Sequence, residues 1–373
     1  MEIRGIAKKN HRTKALISQL SYNDIAVIDH MDIDGVAAMQ LVEKKVQAVI
    51  NAAPSVSGKY PNRGPGVLYS AGVPIIDNIG QDAFNKITNN DYLEVDEDRL
   101  MVNGSCLCNI KYLTQNDIDI KMKEASANFW NVLDKFIENT LNYAKREKEL
   151  IIQPASLPNI RLQMGGRHVL VVIRGNNHLE DLKAIRVYIE EMNPVMVGVD
   201  GGADAILDCG YRPDIIIGDM DSVSDRCLRA CKEIIVHAYP DGRCPGMKRI
   251  ENLGLKATNF PFIGTSEDAA LVLAYEQKAE LIVTVGSHTN MIDFLEKGRQ
   301  GMASTILVQM KVGHKIVDAK GVNELYKNRL KPGYMLALFI AALFPLAIVA
   351  KTSPLLKEIY QLISLRMRLL LGL

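Results

Sequence analysis

Apolar residues recur along this chain in two registers, short uninterrupted runs and longer stripes at helical spacing, and their alternation predicts an α/β protein. Residues 25–28 and 48–50 read as buried strands with a helix over 36–45 between them. Residues 73–76 give a third strand, and 93–100 with 105–110 a hairpin. Gly58 to Gly66 is a loop stiffened by Pro61 and Pro65. These elements form a small N-terminal α/β domain at residues 1–112. Residues 113–158 hold one long helix, over 115–150, and a linker marked by Pro154 and Pro158. Met122, Ala125, Phe129, Val132, Phe136 and Tyr143 keep near-heptad spacing on that helix. Packing on a domain and service as an inter-domain or dimerisation spacer both remain open. Over 159–328, apolar runs at 168–173, 195–199, 215–217, 233–237 and 281–285 alternate with helices, which predicts a second, doubly wound parallel-sheet domain. Segments 302–311 and 315–317 complete it.

The carboxyl-terminal pattern is different. Residues 332–350 carry no charge and are rich in Leu, Ala, Ile and Phe. As a helix they would span roughly 28 Å, close to the hydrocarbon thickness of a bilayer. A single transmembrane segment is expected, Pro345 being tolerable there. Residues 351–373 follow as a basic amphipathic tail helix, with Lys357, Arg366 and Arg368 among Leu, Ile and Met. Lysines and arginines on both sides leave the topology of the tail open.

Charge narrows the picture further. With 44 Lys and Arg against 43 Asp and Glu the chain is near neutral, which argues against a nucleic-acid partner. The six cysteines lack zinc spacing and read as free thiols of a reducing compartment. Met1 to Lys14 has no apolar core of the signal-peptide kind. Cytoplasmic domains anchored to the cell membrane are the expected arrangement.

Candidate chemistry gathers at two turns, Asp200-Gly201-Gly202-Ala203-Asp204 and Pro213-Asp214-Ile215-Ile216-Ile217-Gly218-Asp219-Met220-Asp221-Ser222. Each ends or brackets an apolar run, as at the carboxyl ends of parallel strands, where α/β sheets bind ligands. Asp200, Asp219 and Asp221 form an all-oxygen, hard-cation set suited to Mg²⁺, and a glycine turn beside it suits a phosphate. Asp219 and Asp221 are the candidate catalytic pair. Arg174, after the first strand of this domain, is placed for bidentate phosphate contact. Gly201, Gly202, Ser222 and Ser266 are candidate nucleotide contacts. Asp268 sits in the first turn of a helix over 269–276, where it is a further metal ligand if that end faces the sheet edge. Asp204 and Asp214 fit turn and cap roles. Asp32 and Asp34, in His30-Met31-Asp32-Ile33-Asp34-Gly35, resemble the first motif of DHH-family phosphoesterases, but helix capping explains them better.

The Asp-Gly-Gly-Ala and Pro-Asp-x-Ile-x-Gly-Asp-x-Asp-Ser motifs resemble the catalytic domain of thiamin pyrophosphokinases, over roughly residues 165–320. The resemblance implies Mg²⁺ and ATP or another nucleotide, with Asp200, Asp219, Asp221 and Asp268 as metal and phosphate ligands. The family's Asp-x-Thr-Asp is here Thr265-Ser266-Glu267-Asp268, and its Gly-Gly-Arg-x-Asp-His is replaced by Gly286-Ser287-His288-Thr289-Asn290-Met291. A wider resemblance joins Ser57 to Pro65, Val197 to Ser224, His237 to Arg243, Gly264 to Asp268 and Gly301 to Thr305 to the SteA-like septation family. It implies action at the division septum with a SteB-like membrane partner, and a homodimer is expected. The reading that follows is a membrane-tethered, Mg²⁺-nucleotide-binding switch or scaffold of cell division. An ATP-dependent diphosphotransferase or nucleotide hydrolase is the alternative, and a scaffold with a vestigial site the second.

Overall fold

A computed structural model describes residues 3–153, 157–288, 291–296, 298–322, 339–343, 345, 348 and 353–371. The chain divides into two compact units, Met1–Asn323 and Glu324–Leu373.

Within the first unit lie two seven-stranded sheets. The amino-terminal one is built from β1 (Ile3–Asn10), α1 (Thr13–Ile17), β2 (Ile25–Ile28), α2 (Gly35–Glu43), β3 (Ala48–Asn51), α3 (Gly64–Ser70), β4 (Ile75–Ile76), α4 (Gln81–Lys86), β5 (Tyr92–Asp96), β6 (Arg99–Val102) and β7 (Ser105–Asn109). Its order is β4-β3-β2-β1-β5-β6-β7. The first four strands pair in parallel and the last three extend the sheet as an antiparallel meander. The expected hairpin is therefore three strands, and the expected loop becomes helical from Gly64.

Strand β1 escapes a reading of hydrophobic pattern because its lysines face the sheet's flanks rather than water alone. The Lys9 ammonium lies 4.6 Å from the Phe84 ring centre and donates to the Ile87 carbonyl at 2.6 Å, so its stem covers apolar surface.

The long helix is present as α5 (Gln115–Ile152). A reciprocal capping box starts it: the Asp117 N–H donates to Thr114 Oγ1 at 3.1 Å, and the Thr114 N–H to Asp117 Oδ2 at 3.2 Å. Ile118 and Met122 pack into the first domain's core, while Ala144 and Ile151 pack into the second's. The helix is thus a strut shared by both domains.

The second sheet comprises β8 (His168–Ile173), α6 (His178–Ala184), α7 (Arg186–Met192), β9 (Val195–Val199), α8 (Gly202–Asp208), β10 (Ile215–Gly218), α9 (Asp225–Ala230), β11 (Glu233–Ala238), α10 (Met247–Asn252), β12 (Thr258–Pro261), α11 (Ser266–Glu276), β13 (Leu281–Val285), α12 (Met291–Glu296), α13 (Ala303–Val312) and β14 (Ile316–Asp318). All seven strands are parallel, in the order β12-β11-β10-β9-β8-β13-β14. Helices cover both faces, which is why β9 and β10 are apolar throughout and buried. Strand order reverses between β8 and β13, the place where such sheets open a ligand crevice.

In the second unit, the helix Pro354–Leu371 exposes Ile359, Leu362, Ile363, Leu365, Met367 and Leu369, with Arg366 and Arg368 among them. Among the described residues no helix is long and apolar enough to cross a membrane. Of the expected span 332–350, only 339–343, 345 and 348 lie within those residues.

Candidate functional site

The two domains direct the carboxyl ends of their parallel strands into one cleft of about 950 Å³. Its second-domain wall holds Arg174 after β8, Asp200 and Gly201 after β9, and Asp219, Asp221 and Ser222 after β10. The first domain answers with His11, Arg12 and Lys14 after β1, and Asp29, His30 and Asp34 after β2. Thr265, Ser266 and Glu267 at the start of α11, and Glu296 at the end of α12, close the perimeter.

The turn after β10 presents its carboxylates as a ladder. The Asp219 N–H donates to Asp200 Oδ1 at 2.9 Å, and the Asp221 N–H to Asp219 Oδ1 at 3.0 Å. Arg12 Nη1 reaches across from the first domain to Asp221 Oδ2 at 2.5 Å. Gly218 permits this spacing: a Cβ there would fall 1.8 Å from Asp200 Oδ1. Two non-glycine residues of the turns, Asp200 (φ 48°) and Met220 (φ 66°), lie in the left-handed region, a strain common at ligand sites. Arg249 holds the turn from behind by donating to the Met220 carbonyl, to the Val223 carbonyl at 2.7 Å and to Asp225 Oδ1 at 2.6 Å.

Burial pushes the Asp200 carboxyl up to about 7, and the neighbouring Asp219 charge pushes it the same way. Arg174 is lowered by burial, an effect opposed by Asp204 and Asp200. Its guanidinium lies beside Gly201 and donates to that residue's carbonyl at 3.4 Å. In the first domain burial lowers His30 against the pull of Asp34, Asp32 and Asp29. The His30 ring lies 3.0 Å from Thr13 Oγ1 through Nδ1 and 3.5 Å from Asp34 Oδ2 through Nε2.

The structure brings together Arg174, Asp200, Gly201, Asp219, Asp221, Ser222 and Ser266 on this cleft. It does not bring Asp268 there. That carboxylate is fully buried beneath the α11 terminus, where Oδ2 accepts from the Thr265 N–H at 3.0 Å and from Ser304 Oγ at 2.7 Å. There it forms half of a capping box whose N-cap is Thr265. Gly202 is likewise set back from the cleft, packing α8 against β8. Asp34 caps α2 through the Ala37 N–H at 2.7 Å, as expected of it, and Asp32 holds Ser57. Asp204 receives Ser224, and Asp214 receives the Met196 N–H at 2.9 Å, both structural roles.

Among the described residues no group of three or more His, Cys, Asp or Glu side chains is gathered closely enough to hold a metal ion. Asp200 and Asp219 are adjacent, whereas Asp221 is engaged by Arg12. Sequence reasoning missed Arg12, Lys14 and His30 as cleft residues. For Arg12 and Lys14 the available signal is a basic segment directly after β1, a strand whose own lysines break the apolar run.

Residues 320–371 match the family model of the SteA-like C-terminal domain. That segment is similar to this C-terminal domain. This supports the SteA-like resemblance over these residues. A search of curated proteins finds no match to the chain. The matched segment includes none of the cleft residues.

Proposed function

We propose that the chain is a membrane-tethered protein of septation whose interdomain cleft binds a nucleotide as its Mg²⁺ complex and acts as a switch or scaffold. The observation carrying the ligand reading is the charge inventory of the cleft. Eight Asp and Glu line it against five Arg and Lys, three carboxylates in excess with imidazoles neutral. A bare polyphosphate would be repelled by that excess, whereas a metal-complexed one brings its own compensation. The volume also supports a nucleotide over free phosphate, standing at the upper end of the roughly 300–1,000 Å³ typical of small-molecule sites.

Two neighbouring carboxylates suit a hard cation whose remaining ligands come from a bound phosphate and water. Asp200 and Asp219 offer adjacent carboxylates, and a divalent ion would favour the charged form of Asp200 that burial, and next the Asp219 charge, disfavours. Asp221 would join them once released by Arg12. The ion supplies charge neutralisation to the phosphates; Arg174 and the Gly201 backbone then hold and orient them. The septation role is supported by the SteA-like C-terminal domain. The membrane tether rests on the uncharged run 332–350 and the exposed apolar residues of the tail helix.

Calorimetry of the full chain with MgATP tests the site. Binding is expected for the wild type and its loss for Asp219→Ala with Asp221→Ala. No binding by the wild type, or equal binding by the double variant, overturns the nucleotide reading. Chromatographic detection of AMP after incubation with ATP and thiamin would move the assignment from switch to diphosphotransferase.

A further inference from the structure

The first domain's side of the cleft holds a guanidinium to which no sequence motif gave a role. We propose that Arg12 is itself a ligand-binding residue of the phosphate site, and that a bound phosphate takes it from Asp221 and thereby ties the two domains together. This inference rests on the nucleotide reading above and adds a regulatory consequence to it.

Arg12 is fixed at its base and loose at its tip. Its backbone N–H donates to Asn10 Oδ1 at 2.9 Å, and the next residue, Thr13, is buried with its hydroxyl 3.0 Å from His30 Nδ1. Beyond that anchor the side chain is 74% exposed, as is 54% of Asp221, so the 2.5 Å ion pair between them is largely solvated. Pairs of this kind contribute little to stability, and redirecting one costs correspondingly little. Asp221 is one residue beyond Met220, in a turn already held in position by Arg249. The acceptor is therefore placed whether or not Arg12 is present, and the pair has no evident positioning duty toward the second domain.

An exchange of partners satisfies every charge. In the structure Arg12 neutralises Asp221, while Asp200 and Asp219 sit side by side, the Asp219 N–H donating to Asp200 Oδ1 at 2.9 Å. With a metal-bound phosphate in the cleft, the cation would take the carboxylates and the planar guanidinium would take the phosphate oxygens, a geometry it matches in bidentate fashion. Because Arg12 follows β1 and the aspartates follow β9 and β10, the ligand would bridge the domains. A second contact also joins them, the Arg63 N–H donating to Glu296 Oε1 at 3.3 Å. At the Arg12 edge the ligand would replace the direct ion pair between the domains with a bridge through phosphate.

The test is calorimetric titration of MgATP into full-length wild type, Arg12→Ala and Arg12→Lys, with hydrogen exchange of residues 11–17 measured with and without MgATP. A charge-assisted contact to phosphate predicts an affinity loss of about 10- to 100-fold for Arg12→Ala and a smaller loss for Arg12→Lys. MgATP should also slow exchange at residues 11–17 in the wild type and not in Arg12→Ala. If Arg12 merely occludes Asp221, the alanine variant binds MgATP more tightly, which overturns the proposal. Equal affinity of wild type and variant overturns it too, while leaving the nucleotide site standing. Absence of binding by the wild type removes both. An exposed side chain is tested here, so the variants should unfold at the wild-type temperature, and a circular dichroism melt checks that.

Discussion

Gly202 sets two physical effects against each other, and the structure decides between them. As the first residue of α8 it occupies a helical position, where alanine is intrinsically better by up to about 1 kcal/mol. Yet a Cβ at this position would lie 2.1 Å from the Val172 carbonyl oxygen, 2.7 Å from its carbon and 3.0 Å from Ile173 Cα. Ordinary carbon contacts are roughly 3.5–4.0 Å, so α8 and β8 would have to separate by about an ångström or more. Both elements are in the core of a parallel sheet, and the obstructing atoms are backbone, which no rotamer change can move aside. Overpacking typically costs about 1–3 kcal/mol, and a backbone clash belongs at the upper end. Set against the propensity gain, Gly202→Ala should destabilise by about 2 kcal/mol. At roughly 2–4 °C per kcal/mol for a domain of this size, the melt should fall by about 4–8 °C. Gly66→Ala is the matched control: it lies inside α3 and its Cβ would meet nothing within 4 Å. It should raise stability by about 0.4–1 kcal/mol. Thermal unfolding of both variants, followed by circular dichroism, reads the contrast. A Gly202→Ala melt equal to or above wild type refutes the packing account. Should that variant instead keep its melt and lose MgATP binding, Gly202 returns to the nucleotide contacts the sequence suggested.

Three further outcomes follow from other parts of the molecule. Asp268→Ala should lower stability by about 1–3 kcal/mol in urea unfolding, since it strips the cap from α11 and leaves Ser304 and the Thr265 N–H without their acceptor, while MgATP affinity stays within about twofold; a large affinity loss at unchanged stability would restore it as a metal ligand. Thr114 and Lys111 hold the Asp117 carboxyl down to about 2, below its unfolded value of about 3.9, so its contribution is complete above about pH 4 and disappears as pH falls through about 2. Acid titration of wild type against Asp117→Asn should show that slope only in the wild type, and parallel curves would refute it. The full chain should float with anionic lipid vesicles and a chain ending at residue 331 should not; a full chain that stays soluble without detergent counts against a tether.

How far the sequence discloses the site depends on where each residue's information lies. Apolar runs such as 168–173, 195–199 and 215–217 announce their strands because helices bury both faces, and Asp200 and Asp219 follow as strand-end residues without further knowledge. The same local reasoning does not separate the alternatives at Asp268 and Gly202. A carboxylate in a first helical turn reads identically whether it faces a cleft or closes a capping box, and a glycine after a strand reads identically whether it admits a phosphate or a neighbouring backbone. Only the packing partner distinguishes them, Ser304 in one case and Val172 in the other, and both lie about 30 or more residues away in sequence. Arg12 is the extreme case, since its partner Asp221 is 209 residues distant and its strand hides its pattern behind lysines. What was legible, then, was the half of the site carried by one domain's strand ends. The other half came into view only when the strut α5 and two sheets had turned their carboxyl edges toward each other, so a ligand filling this cleft would touch both domains.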